Sequence, residues 1–568
     1  MEARTRTSPP LLVRTPTHLL VGLGLLALAI RVLIALPLMQ PGYFDAFYYY
    51  HVAQNMAAGR GMVEDLIWNY LDQSPVAMQI PHPSHLYWMP LTTWLAAAGI
   101  RLLGGALGGF HAALVPFIVF SAFLPPLSAW VAWHLWQRRD FALRAGLLTL
   151  FSGFYFLYWI VPDSYTPFTL AVALSLLGCW LGNRGRTLGW FLAGVGAGLS
   201  QLTRADGVLL VLTIPLLAVW PVVGSRLKLE ASLSERQPAI LQPLNLSLAR
   251  LLLAGLLAGS GYLAVFGPWL LRNLALAGTP LPGGGIKTLW LRSYDEIFSY
   301  QVLLTPHHLL SWGLWPIVRS KGQTLVWNSA ILLGTLQFFL APFAWLGLRQ
   351  ARGRTQVDLL RPVLLYGGVL FVTMTLLFTF PSRRGSLLHS AAALVPWLMA
   401  LVPAGVNAAA IRFARWRRHD PALAVRFFGN GFVALAALVS LWLYAQALFL
   451  PPAPDSKLAS WNERATHYVK VAQWLAEHAA AGPVLVVDPP AFTAVTGRPA
   501  IVIPSDSLEA LTAAADRFGA RWLLIESDHA VPLNAAWQFG TPPPGWRHVA
   551  DGVDALGAPV RLFERAIR

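Results

Sequence analysis

THLLVGLGLLALAIRVLIALPLMQPGYFDAFYYYHVAQNMAAGRG, residues 17–61, sets a long apolar run, with Arg31 as its one charge, directly against an acidic, aromatic-rich loop. The run has the length of a membrane crossing, and it is Leu- and Ala-rich rather than alternating, so it predicts a helix and not a barrel strand. The loop continues through GMVEDLIWNYLDQSPVAMQIPHPSHLYWMPL and gathers Asp45, Glu64, Asp65, Asp72, His82 and His85 before Leu91. Only 12% of the 568 residues are charged, so carboxylates placed at a membrane boundary ask for a chemical reason.

Working outward, similar apolar runs recur along the chain. With 56% hydrophobic residues the composition is that of a polytopic α-helical membrane protein. Spans are predicted at about 17–38, 110–135, 145–161, 165–182, 187–201, 206–224, 251–271, 324–348, 362–380, 388–410 and 427–450, or about eleven crossings. This parity places Arg4, Arg6, Arg14 and the clusters at 138–144, 184–186, 226–236, 349–361 and 412–426 on one side with the N-terminus, which the positive-inside rule makes the cytoplasm. The apolar segment 85–103 must then lie on the outer surface as a juxtamembrane helix, since a crossing there would invert every later loop. The first span reads as uncleaved, because no small-residue cleavage site separates it from the loop.

The net charge of +16 reflects this inside bias and attraction to lipid headgroups. Its dispersal between spans excludes a nucleic-acid partner. The single cysteine, Cys179, lies in an apolar run, which excludes a disulfide framework within the chain. From residue 456 the character changes: an amphipathic helix, then the strand-like PVLVVD, PAIVIP and RWLLIES and a closing hairpin from Trp546 to Phe563 predict a small extracytoplasmic α/β domain. The chain therefore divides into a transmembrane part, 1–450, with its first outer loop at 39–109, and a domain at 456–568. No Gly-rich phosphate loop follows the first strand of that domain.

The predicted topology brings Asp45, Asp163, Arg204, Asp206, Arg272, Lys287, Arg292, Arg383, Arg384 and His389 to the outer ends of the spans. Carboxylates beside arginines and lysines suit a reaction in which a base activates an acceptor and cations hold a departing phosphate. Arg31, within the first span, is expected to turn toward this polar cavity. Simpler roles compete. Asp45 and Asp163 each precede a predicted helix and can cap it; Arg204 and Asp206 can form a local ion pair; Arg383 and Arg384 can snorkel to headgroups; His82 and His85 can be polar anchors, their spacing also suiting a metal on one helical face. The rings of Phe47, Tyr48, Tyr49 and Tyr50 fit an interfacial belt.

YFDAFYYYHVAQNMAAGRG, HPSHLYWMPL, VPDSYTPFTLAVALSLL, AGLSQLTRADGVLL and FGPWLLRNLALAGTPLP, taken together and in this order, resemble bacterial GT-C fold glycosyltransferases, the superfamily of protein O-mannosyltransferases and lipid A aminoarabinose transferases. The resemblance covers about residues 15–400. It implies an inner-membrane enzyme, N-terminus cytoplasmic, that moves a hexosyl or pentosyl group from a polyprenyl-phosphate donor to an acceptor hydroxyl on a glycan, lipid or protein of the cell envelope. It further implies that Asp45 is the catalytic base, Asp163 the second acidic position and Arg204 a donor-phosphate ligand. Lys287, Arg383 and Arg384 are expected to assist at the phosphate, with His82, His85, Asp206, Arg292 and His389 lining the cavity. One base suffices for an inverting displacement. A divalent metal, Mg or Mn, is a possible cofactor through Asp45, Asp163 or His85. The sequence departs from the family in having Asp45-Ala46 where the usual pair is Asp-Glu, and His82-Pro83-Ser84-His85 in place of Lys-Pro-Pro. Two other functions compete: a secondary transporter, which predicts inverted repeats and carboxylates near the bilayer centre, and a non-catalytic scaffold.

Overall fold

The computed structural model describes residues 16–219 and 244–566, apart from 282, 353, 453–455, 457 and 479–481. The expected positions of Arg4, Arg6, Arg14, Arg226, Lys228 and Arg236 lie outside the described residues. Helix α1 spans Thr17–Ala35 and is followed by a linker, Pro37–Tyr43, and then by α2, Phe44–Ala57, which carries Asp45 in its first turn. Helices α3 (Leu91–Leu107), α4 (Gly109–Ser121) and α5 (Leu124–Trp136) follow.

Six helices among the described residues are long and apolar enough to cross a membrane, or seven if the pair Ser386–Met399 and Val402–Arg417, bent by 52°, is one span. The chain is a polytopic helical membrane protein, with fewer long spans among its described residues than its hydropathy predicts. Part of the difference lies in breaks that hydropathy averages away; the rest lies in the Leu188–Thr203 helix, which has only 16 residues, and in the run expected at 206–224, which continues beyond the described residues. The run at 145–161 is divided between Arg139–Leu150 and Tyr155–Tyr158, with Gly153 at φ +64° between them. The run at 324–348 is divided between Leu314–Gly334 and Ala341–Ala351, where Gln337 and Phe338 adopt left-handed backbone. The segment expected as a juxtamembrane helix at 85–103 becomes helical only at Leu91. Its 17 residues extend about 25 Å, short of a full hydrocarbon core.

Arg31 is a correction. It does not reach a polar cavity: fully buried in α1, it donates to the carbonyls of Phe156 and Leu150, which the first of these breaks leaves without helical partners. The Phe156 ring, 5.2 Å from its guanidinium carbon, covers it. Small residues let the next helices approach closely. A Cβ on Gly194 of the Leu188–Thr203 helix would lie 1.9 Å from the Ala258 carbonyl oxygen of the Leu244–Ala277 helix. Cys179 packs, fully buried, in the Tyr165–Asn183 helix.

The C-terminal sheet extends beyond its own segment. Strands β1 (Val63–Glu64) and β3 (His82–Pro83) of the acidic loop between α2 and α3 pair antiparallel, whereas β2 (Leu66–Ile67) of the same loop runs parallel to β5 (Ala500–Val502). With β4 (Val484–Val486), β6 (Trp522–Ile525), β7 (Trp546–Val553) and β8 (Pro559–Arg565) the order is β2-β5-β4-β6-β8-β7, and β7 and β8 form the closing hairpin. Strands β4 to β6 are uniformly buried, as expected of a parallel sheet covered on both faces. Phe47 of α2 packs with Phe492 of the Pro489–Thr496 helix, so the loop that carries Asp45 is built into this sheet and its covering helices.

Candidate active site

Three groups from distant parts of the chain meet. His389 Nε2 lies 3.1 Å from Asp163 Oδ2 and 3.6 Å from Asp45 Oδ2. Asp45 comes from α2, Asp163 from the turn before the Tyr165–Asn183 helix, and His389 from the helical turn Ser386–Ala391. Neither carboxylate caps its helix: the N-cap positions are Tyr43 and Ser164, and neither helix has a side-chain cap.

The two acids occupy different environments. Asp163 is 1% exposed; it accepts from the Tyr43 hydroxyl at 2.5 Å and from the Ser164 backbone N–H, besides facing His389. Burial works against its charge, but His389 and these donors outweigh burial and take its pKa down to about 2. Asp45 has none of those donors. Burial, together with the Asp163 charge, raises it to about 6, with His389 and Arg204 only partly opposing. Two neighbouring carboxylates with separated acidities are the arrangement from which acid–base assignments are read.

Behind the trio, Arg204 pairs with Asp206 at 3.0 Å and donates to Ser164 Oγ and to Ser386. Asp206 in turn accepts from Ser390. The Tyr165 ring stacks on His389 with centroids 4.3 Å apart, fixing the imidazole plane. In front, Tyr87 is pushed up to about 12, first by burial and next by the charge of Asp45, so it remains a phenol near that carboxylate. Tyr294 is raised by the same two causes.

The other expected site residues are not brought to the trio. His82 pairs with Glu64 at 2.6 Å, and neither His82 nor His85 lies on a helix. His85 is buried against Tyr48, Tyr49 and Trp269; burial and the nearby Arg272 hold it down to about 3, and its place as a third metal-ligand candidate falls to His389. Arg292 donates to the His308 carbonyl and to Ser311. Arg383 donates to Gln323, and Arg384 meets Asp295 at the surface. Lys287, in the Gly284–Lys287 turn, has no hydrogen-bond or ion-pair partner among the described residues. Gly284 of that turn stands against Leu71 and Tyr87.

Tyr43, Ser164, Tyr165, Ser386 and Ser390 escaped the sequence reading. Ser386, His389 and Ser390 have i, i+3, i+4 spacing in an apolar stretch, a polar helix face that could have been found. No comparable pattern marks Tyr43.

No family model matches the chain, and no curated protein matches it in sequence. Among solved structures, the aminoarabinose transferase ArnT from Cupriavidus metallidurans superposes over 97% of this chain and 98% of its own, with TM-score 0.56 and 15% identity in the apo state. This is the ArnT fold. The ArnT structure bound to undecaprenyl phosphate gives TM-score 0.55 at 13% identity over the same shares. The GT-C-like architecture expected from the five sequence fragments is thus borne out, including the strand-containing C-terminal domain. At this identity the ArnT likeness is one of fold.

Proposed function

We propose that the chain is an inner-membrane glycosyltransferase that moves a sugar from a polyprenyl-phosphate donor to an acceptor hydroxyl on the extracytoplasmic face. The observation that carries this reading is Asp45: a carboxylate raised to about 6 beside an ion-paired Asp163–His389 couple and the half-buried Arg204, at the membrane boundary of an ArnT-like fold. A base with that acidity is matched to proton transfer near neutral pH.

In the proposed step the acceptor oxygen attacks the anomeric carbon as Asp45 takes its proton. The bond from that carbon to the phosphate oxygen breaks, and the lipid monophosphate leaves with the electron pair. Configuration inverts, because one displacement occurs and no carboxylate is assigned as nucleophile. Asp163 and its donors hold His389 toward Asp45. Arg204, engaged by Asp206 and two serines, supplies fixed positive charge rather than a free ligand. Lys287, unpartnered among the described residues, is left to contact the donor phosphate, with Arg384 further out.

The test is transfer of a radiolabelled sugar from a polyprenyl-phosphate donor by purified protein in detergent. Asp45→Asn should lower turnover by about 10²-fold or more, the usual worth of a general base. Undiminished transfer by that variant removes the mechanism.

A divalent cation is a second reading, supported by ligand atoms of Asp45, Asp163 and His389 that all lie within 4.8 Å of one another. An imidazole with two carboxylates suits Mn better than Mg, which prefers oxygen ligands alone.

A further inference from the structure

The Pro37–Tyr43 linker leaves α1 without entering a sheet or helix, so its backbone polar groups must find partners elsewhere. They find them more than 420 residues later. Asn462 Nδ2 donates to the Pro37 carbonyl at 2.7 Å, and Asn462 Oδ1 accepts from the Met39 N–H at 2.9 Å. Gln40 and Trp461 bond reciprocally: the Trp461 indole N–H donates to the Gln40 carbonyl, and the Gln40 amide donates to the Trp461 carbonyl, both at 2.9 Å. Arg464 Nη1 donates to the Gly42 carbonyl at 2.7 Å.

Packing closes the same joint. Trp461 is fully buried, and its ring meets Tyr43 at 5.6 Å and Tyr158 at 5.7 Å. Gly42 sits flat on it with φ +83°, where a Cβ would stand 2.1 Å from the indole. The next residue, Tyr43, is the N-cap of α2 and the hydroxyl donor to Asp163; Asp45 follows two residues on.

We infer that Trp461, Asn462 and Arg464 are positioning residues, and that the segment opening the C-terminal domain sets where α2 presents Asp45 relative to Asp163 and His389. The inference rests on Asp45 being the base. It gives the C-terminal domain a part in the active site, through the linker, that does not depend on contact with either substrate. A misplacement of about 1 Å in such a site costs about 10²-fold in rate.

The experiment uses the full chain in detergent and four variants: Trp461→Ala, Arg464→Ala and the conservative Trp461→Phe and Arg464→Lys. Hydrogen exchange of residues 44–57 is read beside steady-state kinetics. The two alanine variants should raise exchange in α2 while leaving the Tyr165–Asn183 helix unchanged. They should lower kcat about 10- to 100-fold with the KM for donor within about twofold. The conservative variants should recover most of kcat, Trp461→Phe through its ring and Arg464→Lys through its bond to Gly42. Raised α2 exchange with unchanged kcat overturns the inference, as does unchanged exchange in α2. Exchange raised throughout the protein, with no rescue by either conservative variant, overturns it in favour of a purely structural role. Asp45→Asn is run alongside: if it retains full transfer, the base assignment fails, whereas the exchange data still report on the joint.

Discussion

His389 Nε2 reaches Asp163 Oδ2 at 3.1 Å across 226 residues of sequence, and this bond joins the bent helix that begins at Ser386 to the turn before the Tyr165–Asn183 helix. Asp163 is also engaged by Tyr43 at Oδ2 and by the Ser164 N–H at Oδ1. In the proposed mechanism it holds and charge-balances the imidazole, while Asp45, 3.6 Å from the same nitrogen, accepts no hydrogen bond from the groups that bind Asp163. Asp163→Asn and His389→Gln should each lower kcat by about 10- to 100-fold, and the double variant should fall little further than the worse single one. Residues in one network couple by about 0.5–3 kcal/mol in a double-mutant cycle. Additive losses would show that the two act separately.

The acidity of Asp45 gives a pH profile. Its pKa is raised to about 6, chiefly by burial, and as the proposed base the group acts in its carboxylate form. The acid limb of kcat/KM should therefore bend near pH 6, with activity full above and falling tenfold per pH unit below. An ordinary exposed aspartate would bend near 4. Asp163, held down to about 2, contributes no bend in the accessible range. Transfer that stays level down to pH 4.5 contradicts Asp45 as the base.

If the trio holds a cation, removal should be visible without turnover. Protein stripped with chelator and titrated with Mn should bind one ion per chain by electron paramagnetic resonance, and His389→Gln should weaken that binding about 10-fold or more by deleting the nitrogen ligand of the trio. Binding unchanged in this variant places the ion elsewhere. Full sugar transfer in chelator, with the wild-type chain, leaves His389 and Arg204 as the balancing charges.

Much of this was legible in the chain, and the failures share a cause. The acidic first loop, VPDSY and LTRAD carry Asp45, Asp163 and Arg204, and topology alone placed them at one level; His389 joined them by the same parity. Hydropathy could not see that Gly153, Gln337 and Phe338 break apolar runs, because a window average is blind to backbone dihedral angles. Arg31 departs from its expected place for the same reason: its partners are carbonyls exposed by a helix break, and backbone groups have no sequence signature. The edge strand Leu66–Ile67 has only two residues, too few for a periodic signal, although it ties the first loop to the last domain. Histidines 82 and 85 looked alike by spacing; tertiary packing sent one to Glu64 and the other into an aromatic wall.

The pair of Glu64 and His82 makes a prediction about stability rather than rate. Both side chains are only 5% exposed, they meet at 2.6 Å, and His82 Nδ1 also faces the Gln79 carbonyl at 3.0 Å. They sit opposite each other in the two-residue ladder of β1 and β3, with Asp65 between Glu64 and β2, so the pair pins the acidic loop where it joins the C-terminal sheet. His82→Ala leaves the Glu64 carboxylate buried without its partner, which costs about 3–5 kcal/mol. Replacing both by leucine removes the stranded charge along with the bond, and such apolar replacements of buried pairs are often neutral. Denaturant titration of the protein in micelles should accordingly show a large loss for His82→Ala and recovery of most of it in Glu64→Leu/His82→Leu. Equal losses in the single and double variants would mean that packing volume, and not the polar pair, secures this junction.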